Sequence, residues 1–506
     1  MKIMRRRLER SMISPPRASR PETTRCLLLV RAIRTSFAKF ACAAELVLRL
    51  NSPPACQDLV KRRLGKERGS PPIRPDPPVT GVEIIIAGEP WAPHTVVTTM
   101  PIPRLATPDS TFAFFREGYG FIGKHCRELR ADAFRTRLVL RPVTCLMGED
   151  AARLFYDGVH FDRRGAMPPT TLRLLQDKGS VQQLEGDRHH LRKALFLDLL
   201  TGAEVERIVA LFEERWRAEV PVWRRQGRIA LHAAMMRLLC DVVCGWAGVP
   251  VPGKALQRRT QEMAAMIGAA GSIGPSVLRA LMLRRRAERW ARAAVQASRQ
   301  RGGDNTPVDR IAQFRDADGR LLDPDSAAVE LLNLVRPTVA VARFITFAAC
   351  ALHTYPETAF WLDEDAGTCL PFFVDEVRRF YPFFPVIGGR VRQDFVWQEH
   401  AFNHGDWVLL GLHATNHDPR LWDDPERFRP DRFAGRETTG NALAPQGAGD
   451  HAVDHRCPGE WFTRALIGKA VMLLGRLDYR VPKQDLTIPQ NRFPTLPRSG
   501  FVLEVV

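Results

Sequence analysis

The chain has 506 residues, 45% of them apolar, which suits a large folded core and excludes a low-complexity polymer. Its ten cysteines show no paired spacing, which excludes a disulfide framework and leads us to expect a reducing cytoplasm. The net charge of +18 admits a nucleic-acid binder, but no reader motif occurs and the excess is concentrated at one end, so no nucleic-acid partner is expected.

That end is residues 1–99. They hold 18 Lys/Arg against 8 Asp/Glu, +10 of the chain's +18, and 12 prolines, clustered at Pro15-Pro16, Pro53-Pro54 and Pro71 to Pro78. The segment 26–50 has an Arg-spaced amphipathic pattern, which reads as a targeting segment or an anionic-membrane contact. The competing expectation is a basic, Pro-rich extension that is disordered or not natively translated, with the working domain over 100–506. No apolar run approaches the roughly 20 residues that span a bilayer, so no transmembrane segment is expected.

Further along, Asp187-Arg-His189-His-Leu-Arg-Lys193 opens a predicted helix. His189 and Lys193 are four apart and share a face, either as solvated charge or as a site for an anion. Next, Ala328-Val-Glu-Leu-Leu-Asn-Leu-Val-Arg336-Pro337-Thr-Val-Ala reads as an apolar core helix carrying two misfits. A guanidinium is costly to bury unless paired, and Pro337 removes a hydrogen bond and frees the Asn333 carbonyl, at about 3 kcal/mol. Arg336 is therefore expected either to bridge to a core carboxylate or to grip an incoming one with its planar fork.

The segment Pro371 to Phe380 is predicted helical and sets Glu376 and Arg379 three apart on one face. Pro430-Asp431-Arg432-Phe433 offers the same acid a second arginine. A Gly-rich loop, Gly447-Ala-Gly, then leads to Cys457-Pro458-Gly459 and a predicted helix over 460–477. Pro458 suits a first helical position. A cysteine at a helix N-terminus is expected to favour its thiolate. Gly459 leaves the backbone open to a flat cofactor. One thiolate with no second ligand in register suits haem iron better than zinc.

Glu-x-x-Arg, then Pro-acid-Arg-Phe, then the cysteine loop, in that order, resembles the cytochrome P-450 superfamily. Arg336-Pro337, in place of the acid–alcohol pair of oxygen-activating members, resembles its fatty-acid peroxygenase branch. Glu117 to Ile122, Phe155-Tyr-Asp157, Arg163 to Pro168, Val181-Gln182, Leu184 to Gly186, Trp246 to Pro250 and Leu496 to Phe501 resemble that branch too, so the likeness runs over 105–506. It implies a mostly α fold with a small β region, in which haem b lies between a long central helix and the cysteine loop. By the same resemblance, Cys457 is the axial iron ligand. Glu376, Arg379 and Arg432 lock the core behind the haem, and Arg163, His189 and Lys193 meet its propionates.

The resemblance also implies the chemistry. A fatty acid and hydrogen peroxide are the expected partners, with no obligatory redox partner. Arg336 clamps the fatty-acid carboxylate, which serves as acid–base for peroxide cleavage, and the product is a 2- or 3-hydroxy acid. Gln182 falls where the branch places a residue over the haem; Gln there goes with hydroxylation, His with decarboxylation to a terminal alkene. Gln183 is the alternative occupant. A reductase-dependent monooxygenase and a decarboxylase are the alternative activities. The loop departs from the branch in having Ala448 within its glycine run and Asp454 where a glycine is usual, and strain at Asp454 is expected.

Overall fold

In a computed structural model the described residues are 100–506 apart from 178, 201, 304, 359–368 and 437–439. The expectations for residues 1–99 lie outside them. The first part of the chain gives α1 (Thr111–Glu117), α2 (Phe121–Leu129), β1 (Ala133–Leu138), β2 (Arg141–Leu146), α3 (Glu149–Tyr156), β3 (Phe161–Asp162), α4 (Pro169–Leu175) and α5 (Gly186–Leu199). A helical stretch follows, with α6 (Ala203–Gln226), β4 (Arg228–Ala230), α7 (Leu231–Trp246), α8 (Lys254–Gly268), α9 (Pro275–Arg301), α10 (Pro307–Gln313), α11 (Pro324–Ala340), α12 (Ala342–Thr354) and α13 (Leu370–Phe380). The last part holds β5 (Val386–Val391), β6 (Phe395–Trp397), β7 (His400–Phe402), β8 (Trp407–Gly411), α14 (Leu412–Asn416), α15 (Glu460–Gly475), β9 (Tyr479–Arg480) and β10 (Val502–Val505).

The fold is thus mostly α with a small β region. The main sheet runs β1-β2-β8-β5-β3, with β2 and β8 parallel and the other pairs antiparallel. Glycine lets a loop settle directly on it. A methyl at Gly388 in β5 would fall 2.3 Å from the Ala166 carbonyl oxygen. The segment from Arg163 to Pro168 is therefore pressed onto the strand, which fixes Arg163.

α11 is set by its ends and by burial. Asp323 caps it, accepting from the N–H groups of Asp325 and Ser326 at 3.0 and 2.9 Å, and Pro324 takes the first turn. Ala327 to Arg336 are all buried, so the helix is covered all round and lies inside the protein. It packs on α9 and α7. The regular hydrogen bonding breaks at Val341, four residues after Pro337, before α12 continues. This corrects the membrane expectation in one respect: residues 324–354 are long and apolar enough to cross a bilayer, but 89% of the most apolar 18-residue window within them is buried in the fold.

α13 buries Phe373, Val374 and Val377 together with Asp375, Glu376, Arg378 and Arg379. Four charges inside a core require partners, and each has them, as set out below. Among the described residues Cys126, Cys145, Cys240, Cys244, Cys350 and Cys457 are free thiols.

Candidate functional site

Three elements converge on Cys457. The Gly-rich loop brings it in, and α15 leads away. α5 spans the distance to α11 through adjacent residues. Arg192 Nη1 donates to Glu330 Oε1 of α11 at 2.7 Å, while Lys193 Nζ donates to the Asp454 and Arg456 carbonyls beside the cysteine. α5 therefore sets the spacing between the central helix and the cysteine loop.

The cysteine itself is partly exposed. Its N–H donates to the Gln446 carbonyl at 3.1 Å and its Sγ accepts from Gln446 Nε2 at 3.6 Å. Two of the expectations for it need correction. Helix α15 begins at Glu460, so Pro458 and Gly459 form a turn before it rather than its first turn. Burial raises the thiol pKa, against the lowering effects of the Gly459 N–H, Lys193 and Gln446. The pKa is raised despite the nearby start of α15, and a bound cation would help to draw the proton off.

The loop carries no left-handed strain at Asp454, contrary to expectation, since its φ is not positive. Strain is absorbed by two glycines instead. A methyl at Gly447 would lie 2.8 Å from the Tyr156 hydroxyl, and one at Gly449 would lie 2.5 Å from Asp454 Oδ2. Asp454 uses that oxygen to accept from the Asp450 N–H at 2.7 Å.

Above the loop, Arg336 is 3% exposed and makes no ion pair among the described residues. Its Nη2 donates to Asn333 Oδ1 at 3.0 Å and to the Leu175 carbonyl, and its Nη1 is buried without a partner. Burial, with repulsion from Arg284, pushes its pKa well below the usual arginine value. Asn333 also donates to Glu330 Oε2 at 2.9 Å and to Gln182 Oε1 at 3.3 Å. Of the two glutamines, Gln182 therefore faces α11, while Gln183 donates to Gln176 Oε1 at 2.8 Å. Pro337 is exposed although Arg336 and Thr338 on either side are buried, so α11 turns one face toward open space there.

Arg163 lies over the rings of Phe155 and Tyr156, at 4.1 and 4.6 Å to their centroids. Its Nη2 donates to the Phe155 carbonyl at 3.0 Å, and its Nη1 is buried without a partner. His189 stacks on His455 with centroids 3.9 Å apart, and burial pushes its pKa down to about 2. Lys193, lowered to about 8 by burial, is committed to the loop carbonyls. A methyl at Gly459 would lie 3.9 Å from Cys457 Sγ, so the missing side chain leaves room beside the sulfur. A single sulfur with space on its flank, an orphaned cation at Arg163 and an open face at Pro337 fit a flat, anionic iron porphyrin. Among the described residues no His/Cys/Asp/Glu cluster offers a competing metal site.

Behind the cysteine, Glu376 accepts from Arg379 Nε and Nη2 at 2.7 and 2.8 Å and from Arg432 Nε at 3.2 Å. A second network was not read from the sequence. Arg378 joins Asp375 at 2.8 Å and Glu460 at 2.5 Å, and Glu460 also accepts from Arg456 Nε at 2.7 Å. It ties α13 to α15 and holds the residue before Cys457. Asn333, Glu330 and Arg192 were missed as well. The three-residue spacing of Glu330, Asn333 and Arg336, which puts all three on one helix face, was the available signal.

The cytochrome P450 family model matches residues 368–501. Among solved structures, the chain is 42% identical to cytochrome P450SP alpha (CYP152B1), with a TM-score of 0.76, covering 79% of this chain and 98% of that one. It is 36% identical to cytochrome P450EX alpha (CYP152N1), solved with myristic acid, with a TM-score of 0.77 over 80% and 98%. Cytochrome P450 OleT, solved with arachidonic acid, is 29% identical, with a TM-score of 0.77 over the same shares. Among curated proteins, melianol synthase CYP71BQ5 of Melia azedarach is 39% identical over 94 residues, 17% of this chain and 18% of that protein. The chain thus matches less than a fifth of the length of this plant relative.

Proposed function

This chain belongs to the fatty-acid peroxygenase branch of the cytochrome P450 superfamily, and on that premise we propose that it hydroxylates fatty acids at Cα or Cβ with hydrogen peroxide. The observation that carries the reading is Arg336: a buried guanidinium with no carboxylate and one free N–H pair is poised for an anion from outside the protein.

Haem b, which the Cys457 sulfur would hold, would supply the oxidising chemistry when bound. The chain supplies the geometry. Nη1 of Arg336 takes a carboxylate oxygen, while Asn333 and the Leu175 carbonyl hold Nη2 and so fix the plane of the fork. Gln182, pinned by the same Asn333, borders the substrate carboxylate. Pro337 and Thr338 follow Arg336, and Glu330, the acid on the same helix face, is taken up by Arg192 and Asn333, so the substrate carboxylate itself serves as acid–base. Holding it there brings Cα and Cβ to the reacting centre, a positioning effect. Arg163 and His189 border the propionate side. The need for a separate electron donor disappears, and free cysteines suit a reducing cytoplasm.

The test is product analysis with the haem-loaded full chain, a long-chain fatty acid and hydrogen peroxide, without reductase. A 2- or 3-hydroxy acid is expected. Product only with a reductase would contradict the peroxide reading, and a terminal alkene would contradict the role given to Gln182.

A further inference from the structure

A second cation near the centre of the fold is buried without a partner. Arg343, close to the start of α12, is 5% exposed. Its Nε is buried and unsatisfied, and its guanidinium makes no hydrogen bond or ion pair among the described residues. The groups that feel its charge are Tyr119, Arg492 and His232, and none of them is a carboxylate. Tyr119 donates its hydroxyl hydrogen to the Phe383 carbonyl at 2.9 Å, and burial keeps His232 neutral. Burial, with repulsion from Arg492, lowers the Arg343 pKa to about 10, so the group is still a cation at neutral pH. A buried charge with no counter-charge is costly to the fold.

Its position relates it to Arg336. The two are seven residues apart, two helical turns, which sets them on one face with roughly 10 Å of rise between them. From Pro337 to Ala342 the one polar side chain is Thr338, and its hydroxyl donates back to the Leu334 carbonyl at 2.9 Å. Pro337 is exposed and Ala340 half-buried, whereas Thr338, Val339, Val341 and Ala342 are buried. The helix is therefore open on one side between the two arginines. That stretch is apolar, with an unpaired guanidinium at each end.

We propose that Arg343 binds the distal carboxylate of a long-chain α,ω-dicarboxylic acid whose first carboxylate is held by Arg336. An apolar chain with an anion at each end matches an apolar stretch with a cation at each end. A small inorganic anion would balance one guanidinium and make no use of the apolar stretch. Because the first carboxylate is the one that Arg336 grips under the proposed function, the assignment rests on that reading.

The test is a calorimetric titration of the haem-loaded full chain with unbranched dicarboxylic acids of graded length. The monomethyl ester of each, which keeps the length and one carboxylate, is titrated beside it. At the length that spans the two arginines, the diacid should bind roughly tenfold more tightly than its half ester. Arg343→Met should remove that advantage while leaving half-ester binding unchanged, and Arg343→Lys should keep part of it. An unchanged absorption spectrum checks that the variants are folded. Equal binding of diacid and half ester by the wild type at every length overturns the proposal. So does an advantage that survives Arg343→Met, or an equal loss of diacid and half-ester binding in that variant, which would make Arg343 structural. A half ester that binds the wild type and Arg336→Met alike would overturn the role of Arg336 and this assignment with it, whereas the other failures leave that role standing.

Discussion

Two groups of buried arginines in this protein have opposite surroundings. Arg379 and Arg432 share Glu376, and backbone carbonyls take their remaining N–H groups: Asn416 and Pro425 for Arg379, Asp423 for Arg432. Arg336 has an amide oxygen and one carbonyl for Nη2 and nothing for Nη1. The first is a closed network whose charges are balanced inside the protein. The second is open, and under the proposed function its missing partner comes from outside. A buried cation that the fold leaves unpaired marks a binding role, whereas one that the fold pairs completely marks a structural one.

The comparison can be broken at either end. Arg336→Met should abolish fatty-acid turnover while leaving stability unchanged or raised, because a buried, unbalanced charge is removed. A large fall in the unfolding free energy of this variant would make Arg336 structural. Cys457→Ala should remove the thiolate-type absorption of the haem-loaded protein, without which neither arginine has a reaction to serve. Glu376→Ala should behave in the reverse way to Arg336→Met, costing about 3–5 kcal/mol in urea unfolding by orphaning two cations. Loss of turnover without loss of stability there would contradict the division. Asn333→Ala should lower kcat/KM roughly tenfold and change the ratio of 2- to 3-hydroxy product, since it frees both Arg336 and Gln182.

A further effect is in pH. Burial lowers the pKa of His232 and His413 to about 3 and that of His417 well below its usual value, so all three are neutral in the fold. The unfolded chain binds protons on them below about pH 6.5 while the folded chain does not. Stability should therefore fall as pH drops from 6.5 toward 3, on top of the loss at Glu460, which arginines lower to about 2. A flat stability profile between pH 6.5 and 5 would show that these histidines are not neutral in the fold.

The parts of the site that were legible in the sequence are local ones. Cys457 with its glycines, Glu376 with Arg379, and the misfit Arg336-Pro337 each announce themselves within a few residues. The partners of these residues were not legible. Arg378 meets Glu460 across 82 positions and Arg192 meets Glu330 across 138, and nothing in either segment encodes the other. The helix start at Glu460 was legible, but not the place of Pro458, which suits a first turn as well as the turn before one. The choice between Gln182 and Gln183 depended on the single 3₁₀ turn Val181–Gln183, whose rotation only the packing against α11 decides.

The most direct measurement of the central claim is a calorimetric titration of the haem-loaded protein and its Arg336→Met variant with a long-chain fatty acid and with its methyl ester. If the open N–H pair of Arg336 awaits a carboxylate, the acid should bind the variant roughly 100-fold more weakly, while the ester, which carries no charge, should bind both proteins alike. Equal losses for acid and ester, or no loss for the acid, would contradict the account.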